Sequence, residues 1–183
     1  VIFMGKKLPK LNSQLKEFIT NQNIFFVGTA ADTGFVNVSP KGMSTFYILN
    51  DKEVIWLNLT GSGNESAAHV LKDPRMTIMF CSFEKNPLIL RLYGTAETFH
   101  ERDAQFSEYL EHFEETAGAR QIFKLSIELV QTSCGFGVPF MEYKGERDTL
   151  KLWAEQKGEE GIKEYWTEKN QESLDGFDTG IFN

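Results

Sequence analysis

The sequence is poor in the residues that mark disulfide-rich, membrane-spanning and cysteine-rich metal proteins. It has two cysteines, Cys81 and Cys134, and no Cys-x-x-Cys pair, so neither a disulfide scaffold nor a cysteine metal centre is expected. No apolar run approaches the ~18 residues of a membrane span. The first residues turn polar too soon for a signal peptide, which makes the cytoplasm the default location and a membrane partner unexpected.

The sequence also has fewer basic than acidic residues. The 183 residues carry a net charge of −7, and a nucleic-acid partner is therefore disfavoured because binding phosphate chains needs a basic face. The acidity is uneven: eleven acidic and six basic residues from Met141 onward give that segment a charge of −5. The nearly neutral remainder can still hold a local anion site.

Several familiar catalytic patterns are missing. The three histidines, His69, His100 and His112, do not show metal-ligand spacing with each other or with the cysteines, so no metal site is predicted. No Gly-x-Ser-x-Gly elbow occurs either. The sequence therefore nominates no catalytic nucleophile, acid or base.

Short β-type runs separated by turn signals dominate the first 140 residues. Their pattern predicts strands over residues 24–30, 35–39, 45–49, 54–59, 75–81, 88–99 and 121–134, and helices over 13–21, 65–72 and 102–113. Pro40 is expected to interrupt its strand, and Gly94 marks a bulge or a close backbone approach. Many short strands with few helices between them favour a barrel over a doubly wound sheet.

The C-terminal segment has a different character. Its charged residues and apolar stripes predict two amphipathic helices, about 148–156 and 159–170, divided at Gly158. We therefore expect residues 1–140 to form the main domain and residues 141–183 to form an acidic helical extension packed on that same domain.

One candidate anion site is the loop of small residues between the predicted strand at 54–59 and the helix that follows. Glycines let backbone N–H groups converge, the helix start adds partial positive charge, and Thr60, Ser62 and Asn64 add side-chain donors. The loop matches neither a Walker motif nor Gly-x-Gly-x-x-Gly. The alternative is a plain strand-to-helix turn with an Asn or Ser cap.

Two further basic residues are candidates. Pro40 would turn Ser39 and Lys41 toward whatever lies beyond the strand end, where Lys41 is the natural partner for a phosphate; a solvated lysine in a hairpin turn is the alternative. Arg91 lies in an otherwise apolar run. It lines a pocket, pairs with a neighbouring carboxylate or faces solvent.

The order of these stretches resembles a known family. Five segments carry the resemblance: Phe26–Ala30, Val36–Gly42, Ile55–Glu65, Met76–Cys81 and Ile89–Gly94. Together they are similar to the pyridoxamine 5′-phosphate oxidase-related, FMN-binding split-barrel family. An uncharacterised branch shares the Ser-Pro-Lys-Gly and Thr-Gly-Ser-Gly-Asn-Glu stretches, and tails like Thr132–Pro139 and Arg147–Leu150. The likeness covers nearly the whole chain.

The resemblance implies a mainly β fold with flanking helices, a six-stranded antiparallel Greek-key split β-barrel. It also implies a homodimer with one FMN in each of two clefts at the interface. The residues expected to bind the cofactor are Ser39, Lys41, Gly42, Asn58, Thr60, Gly61, Ser62, Asn64 and Arg91. The chain lacks the Ser-Arg-Lys run that grips the phosphate in the oxidase proper, and it lacks the Arg-x-His-Asp-Arg-like stretch that closes the substrate site. Oxidation of pyridoxamine phosphate is therefore not expected.

Several functions remain open at the level of the sequence. The first is a flavin-dependent oxidoreductase acting on an unidentified small molecule, with a deazaflavin as a variant of the same idea. The second is a flavin-binding buffer or sensor with no turnover. The third is a haem-handling split barrel, although no histidine falls in a stretch that matches a proximal ligand.

Overall fold

The computed structural model describes residues 5–183, and its strands form one antiparallel sheet. Its strands are β1 (Lys7–Leu8), β2 (Phe25–Thr29), β3 (Asn37–Lys41), β4 (Phe46–Ile48), β5 (Glu53–Leu59), β6 (Arg75–Cys81), β7 (Ile89–His100) and β8 (Ala119–Ser133). The strand order is β3-β2-β6-β7-β8-β5-β4, and β1 pairs with β8. The two-residue strand β1 was not anticipated from the sequence, because it is too short to show a period.

Four helices flank the sheet: α1 (Ser13–Thr20), α2 (Glu65–Lys72), α3 (Ala104–Leu110) and α4 (Thr149–Lys169). Helix α1 begins where the sequence predicts, because the Asn12 side chain accepts a hydrogen bond from the Leu15 N–H at 2.9 Å. Gly158 has φ 65° and ψ 174° inside α4. This left-handed position separates two helical segments at the predicted place. Helix α3 is shorter than the predicted 102–113.

The sheet curls so that strands from its two ends face each other. Phe25 of β2 and Phe46 of β4 meet with ring centroids 5.1 Å apart, although four strands separate β2 from β4 in the sheet order. Phe80 packs against both rings, and Trp56 stacks on Phe123 at 4.4 Å. The aromatic residues thus fill the concave side. The predicted mainly β split barrel with flanking helices is confirmed.

Gly94 lies where the long strands β7 and β8 shift register, between Tyr93 and Gly94. A Cβ at this position would overlap the carbonyl oxygen of Ser126 on the neighbouring strand. The predicted bulge and close backbone approach are therefore confirmed, and they have one physical cause.

The prediction that Pro40 interrupts its strand is wrong. Strand β3 continues through Pro40, which pairs with Phe26 of β2, to Lys41. A proline is accommodated because β3 lies at the edge of the sheet, where one side of the strand needs no ladder hydrogen bonds.

The C-terminal segment packs against the barrel. The indole N–H of Trp166 donates to the Thr60 hydroxyl at 2.8 Å. The Arg102 guanidinium donates to the carbonyl oxygens of Gly180, Ile181 and Asn183. Within residues 5–183, no helix is long and apolar enough to cross a membrane.

Candidate functional site

Two cavities lie on either side of the loop from Thr60 to Asn64, which joins β5 to α2. The first has a volume of about 860 Å³ and is lined by Lys41, Gly42 and the first half of the loop, with residues of the C-terminal segment opposite. The second has a volume of about 480 Å³ and is lined by Ser62, Gly63 and α2, with residues 172–175 opposite. The loop is the wall that the two cavities share.

The loop is held from behind by two side chains, which we call the brace: Arg120 and Asn170. The Arg120 guanidinium, buried at the start of β8, donates to the Gly63 carbonyl oxygen at 3.0 Å and to the Asn170 side-chain oxygen at 2.6 Å. The Asn170 amide donates in turn to the Gly61 carbonyl oxygen at 3.0 Å. Burial lowers the pKa of Arg120 to about 10, so it still carries a positive charge at neutral pH.

The brace binds carbonyl oxygens of the loop and leaves its backbone N–H groups unoccupied. Across the part of the chain that the structure describes, none of the backbone N–H groups from Gly61 to Ser66 donates a hydrogen bond. The position that a Cβ would take at Gly61 has no atom within 4 Å. A run of free N–H groups at a helix start, next to open space and a buried cation, has the donor set of an anion cradle.

Lys41 stands at the end of β3 beside this cradle. Its ammonium donates to the Asn58 side-chain oxygen at 3.2 Å and lies 5.1 Å from the Trp56 ring centroid. Burial, and to a smaller extent the positive charge of Arg120, lowers the pKa of Lys41 to about 8. An anion placed against the ammonium would offset both effects, so the site favours a negatively charged ligand.

The structure brings five of the predicted residues together around the first cavity: Lys41, Gly42, Thr60, Gly61 and Ser62. Two others lie just behind this group. Asn58 accepts from Lys41 and donates to the Gln121 side-chain oxygen at 3.0 Å, and Asn64 donates to the Asn170 carbonyl oxygen at 3.2 Å. The Ser39 hydroxyl is buried on β3 with no hydrogen-bond partner among residues 5–183.

Two predicted residues differ from the rest in their surroundings. The Thr60 hydroxyl donates to the Gly118 carbonyl oxygen at 2.8 Å and accepts from Trp166, so it fixes the loop and offers no free donor. Arg91 lies on β7, donates to the Ser133 hydroxyl at 3.2 Å and lines neither cavity. Within one chain, Arg91 is therefore not brought to the other candidates, and a cofactor role for it stays a prediction.

Sequence reasoning missed the brace and most of the opposite wall of the first cavity. That wall includes Tyr143, Arg147, Trp153 and Tyr165 of the C-terminal segment. Arg120 opens an apolar strand and could have been noticed as a charge at a buried position. Asn170 gives no local signal, because its partners in the loop lie more than a hundred residues earlier in the chain.

Comparison with known proteins agrees with this fold. Residues 11–134 match the family described as pyridoxamine 5′-phosphate oxidase. The chain is also 35% identical over 184 residues to the pyridoxamine 5′-phosphate oxidase family protein ustO of Aspergillus flavus, covering 91% of this chain and 74% of that protein.

Two crystal structures show the same fold at lower identity. A protein of Lactobacillus delbrueckii assigned to the same oxidase family has a TM-score of 0.56 and 23% identity, covering 68% of this chain and 98% of its own. HupZ of Group A Streptococcus has a TM-score of 0.52 and 21% identity, covering 65% of this chain and 91% of its own. With the split barrel, the matched segment and the fungal relative in agreement, the chain belongs to the pyridoxamine 5′-phosphate oxidase family.

Proposed function

We propose that the protein binds FMN in the first cavity and is a flavin-dependent oxidoreductase acting on a small molecule other than pyridoxamine phosphate. Membership of the oxidase family supports a flavin as the ligand class. The loop after β5 lacks the Ser-Arg-Lys run of the oxidase proper, which argues for a different substrate. Lys41 and the free loop amides are the observation that carries the proposal.

The residues present fit the chemistry of FMN. The ligand ends in a phosphate, which carries more than one negative charge at neutral pH. The loop amides and the Lys41 ammonium are donors suited to that group. The opposite wall offers the aromatic side chains of Tyr143, Trp153 and Tyr165, which suit the flat isoalloxazine ring. A volume of about 860 Å³ accommodates a ligand of this size.

When bound, a flavin supplies the hydride and electron transfer, and the protein supplies binding and orientation. Here the brace fixes the carbonyl oxygens of Gly61 and Gly63, so the loop is ordered before a ligand binds, which spares the ligand the entropic cost of ordering it. The C-terminal segment contributes a large part of the lining of the first cavity. We propose no proton-transfer role for the side chains of this site.

The experiment that tests the proposal compares FMN with riboflavin, which differs only in lacking the phosphate. If the loop binds the phosphate, calorimetric titration should give a much lower Kd for FMN, because several N–H donors, each contributing about 0.5–1.5 kcal/mol and more toward a charge, lose their partner in riboflavin. A Ser62→Leu/Gly63→Leu double variant should lose most of that preference.

A matched control is Gly137→Leu, at a position outside both cavities where a Cβ meets nothing within 4 Å. It should keep the preference for FMN. Equal affinity of the unmodified protein for both flavins would refute the phosphate cradle. The absorbance spectrum of the loaded protein separates the other ligands: a Soret band would indicate haem, and a deazaflavin has its own band.

A further inference from the structure

The second cavity is acidic, whereas the first is lined by both basic and acidic side chains. Among the residues that line it are three carboxylates, Glu65, Glu172 and Asp175, and no lysine or arginine. It lies between α2, the segment just before β3 and residues 172–175. The field of such a cavity disfavours an anion such as phosphate and favours a cation.

His69 places an imidazole ring in this acidic surrounding. The ring is 1% exposed, and its Nδ1 lies 3.1 Å from the Thr29 hydroxyl oxygen. Its Nε2 is buried with no hydrogen-bond partner among residues 5–183, and it lies 3.9 Å from an Asp175 carboxylate oxygen. A buried ring nitrogen left without a partner is costly, so this atom points to a missing ligand.

Three side chains converge on the same point. One atom each of Glu65, His69 and Asp175 lies within 4.8 Å of the other two. Glu65 and His69 are one turn apart on α2 and therefore share a face of the helix. The spacing of histidines and cysteines could not reveal this group, because Asp175 comes from the far end of the chain.

Both carboxylates are held in place by the backbone. Glu65 accepts the Leu174 N–H at 3.1 Å, and Asp175 accepts the Phe35 N–H at 3.1 Å. Asp175 also packs against Gly34, where φ is +87° and an added Cβ would meet the carboxylate. Each carboxylate keeps further lone pairs for another partner.

We propose that Glu65, His69 and Asp175 bind one divalent transition-metal ion of the Zn²⁺ type, through His69 Nε2 and one oxygen of each carboxylate. An imidazole ligand selects such ions over Mg²⁺ and Ca²⁺. Tetrahedral coordination at about 2.0–2.2 Å needs ligand atoms roughly 3.4 Å apart. The three atoms lie within 4.8 Å of one another, so each distance between them shortens by roughly 1.4 Å or less when a metal binds. The fourth position faces the cavity.

Thr29 supplies the supporting contact that such a site needs. When His69 Nδ1–H donates to the Thr29 hydroxyl oxygen, the lone pair of Nε2 is left for the metal. Thr29 is itself held by the Asn37 amide, which donates to its hydroxyl oxygen at 3.2 Å. The ring orientation is thus fixed before the ion arrives.

The test is a Zn²⁺ titration of the chelator-treated protein without any flavin, so its outcome is independent of the FMN proposal. We expect one equivalent of Zn²⁺ per chain and a higher Tm in its presence. Glu65→Gln and Asp175→Asn, which keep an oxygen for the backbone N–H, should each weaken binding by roughly tenfold or more, and His69→Gln by more still. Co²⁺ in place of Zn²⁺ should give the visible absorption of tetrahedral cobalt.

Two controls separate this site from other binding. Glu172→Gln removes a carboxylate of the same cavity that lies outside the cluster, and Cys134→Ser removes the exposed thiol. Both should bind Zn²⁺ like the unmodified protein. Binding that is absent, that vanishes with Cys134, or that is equal in all the cluster variants would overturn the proposal, and the three residues would then only fasten the C-terminal segment.

Discussion

Lys41 is the residue whose protonation ties the candidate site to pH. Its pKa in the free protein is about 8, and contact with a phosphate should raise it again. The phosphate of FMN is already ionised above pH 7. Binding above pH 8 should therefore take up a proton at Lys41, whereas below pH 7 the lysine is charged in both states.

We therefore expect that Lys41 gives the affinity for FMN no pH dependence below pH 7. As the pH rises through 8, the affinity should fall by up to about tenfold per pH unit. Flavin-fluorescence titrations from pH 6 to 9.5 would measure this pH dependence.

Lys41→Ala should lower the affinity for FMN roughly ten- to hundredfold and remove the pH dependence. Lys41→Arg should retain binding without the pH dependence, since its charge persists. Unchanged affinity in Lys41→Ala would mean that Lys41 does not contact the bound FMN.

At the scale of elements, the pairing of β7 with β8 depends on one glycine. Gly94→Ala should cost about 3 kcal/mol of the free energy of unfolding, because the new Cβ would overlap the Ser126 carbonyl oxygen and the backbone must move. Urea denaturation would give the value.

Gly28→Ala on β2 is the matched control. The nearest atoms to a Cβ there lie 3.8 Å away, which is ordinary contact. This variant should be close to neutral. If both alanine variants lost equal stability, the close approach of β7 and β8 at Gly94 would not be the cause.

Elements were predictable from the sequence where the pattern is local. The end of α2 follows from the Asp73-Pro74 pair, the limits of β6 follow from a nearly continuous apolar run, and Gly94 stands out inside an apolar strand. The prediction that Pro40 interrupts its strand was wrong because a proline is accommodated in an edge strand. That β3 is an edge strand is a property of the whole sheet. The brace and the C-terminal wall of the first cavity join residues far apart in sequence, so no local pattern encodes them.

At the scale of the whole molecule, the edge of the sheet at β3 exposes a run of large apolar side chains. Phe35, Val36 and Val38 are 67%, 73% and 66% exposed. A contiguous apolar surface of this kind marks an interaction site. We propose that this edge is covered by a second copy of the chain in a homodimer, the assembly that the family resemblance implies.

Sedimentation at micromolar concentration, with FMN present, should therefore give a dimer. Val38→Glu should shift the protein toward monomer, because a charge would be buried at the interface without a partner. Leu71→Glu, at an exposed apolar position on α2, is the control and should leave the dimer intact. A strictly monomeric unmodified protein would refute the proposed assembly.

The brace couples the docking of α4 to the conformation of the loop from Thr60 to Asn64. Asn170 follows α4 directly, so an opening of the C-terminal segment withdraws the donor that holds the Gly61 carbonyl oxygen. By reciprocity, any ligand that needs the ordered loop must tighten the docking of that segment by the same factor. The slowing of amide exchange around residues 160–170 on ligand addition is therefore a measure of ligand affinity.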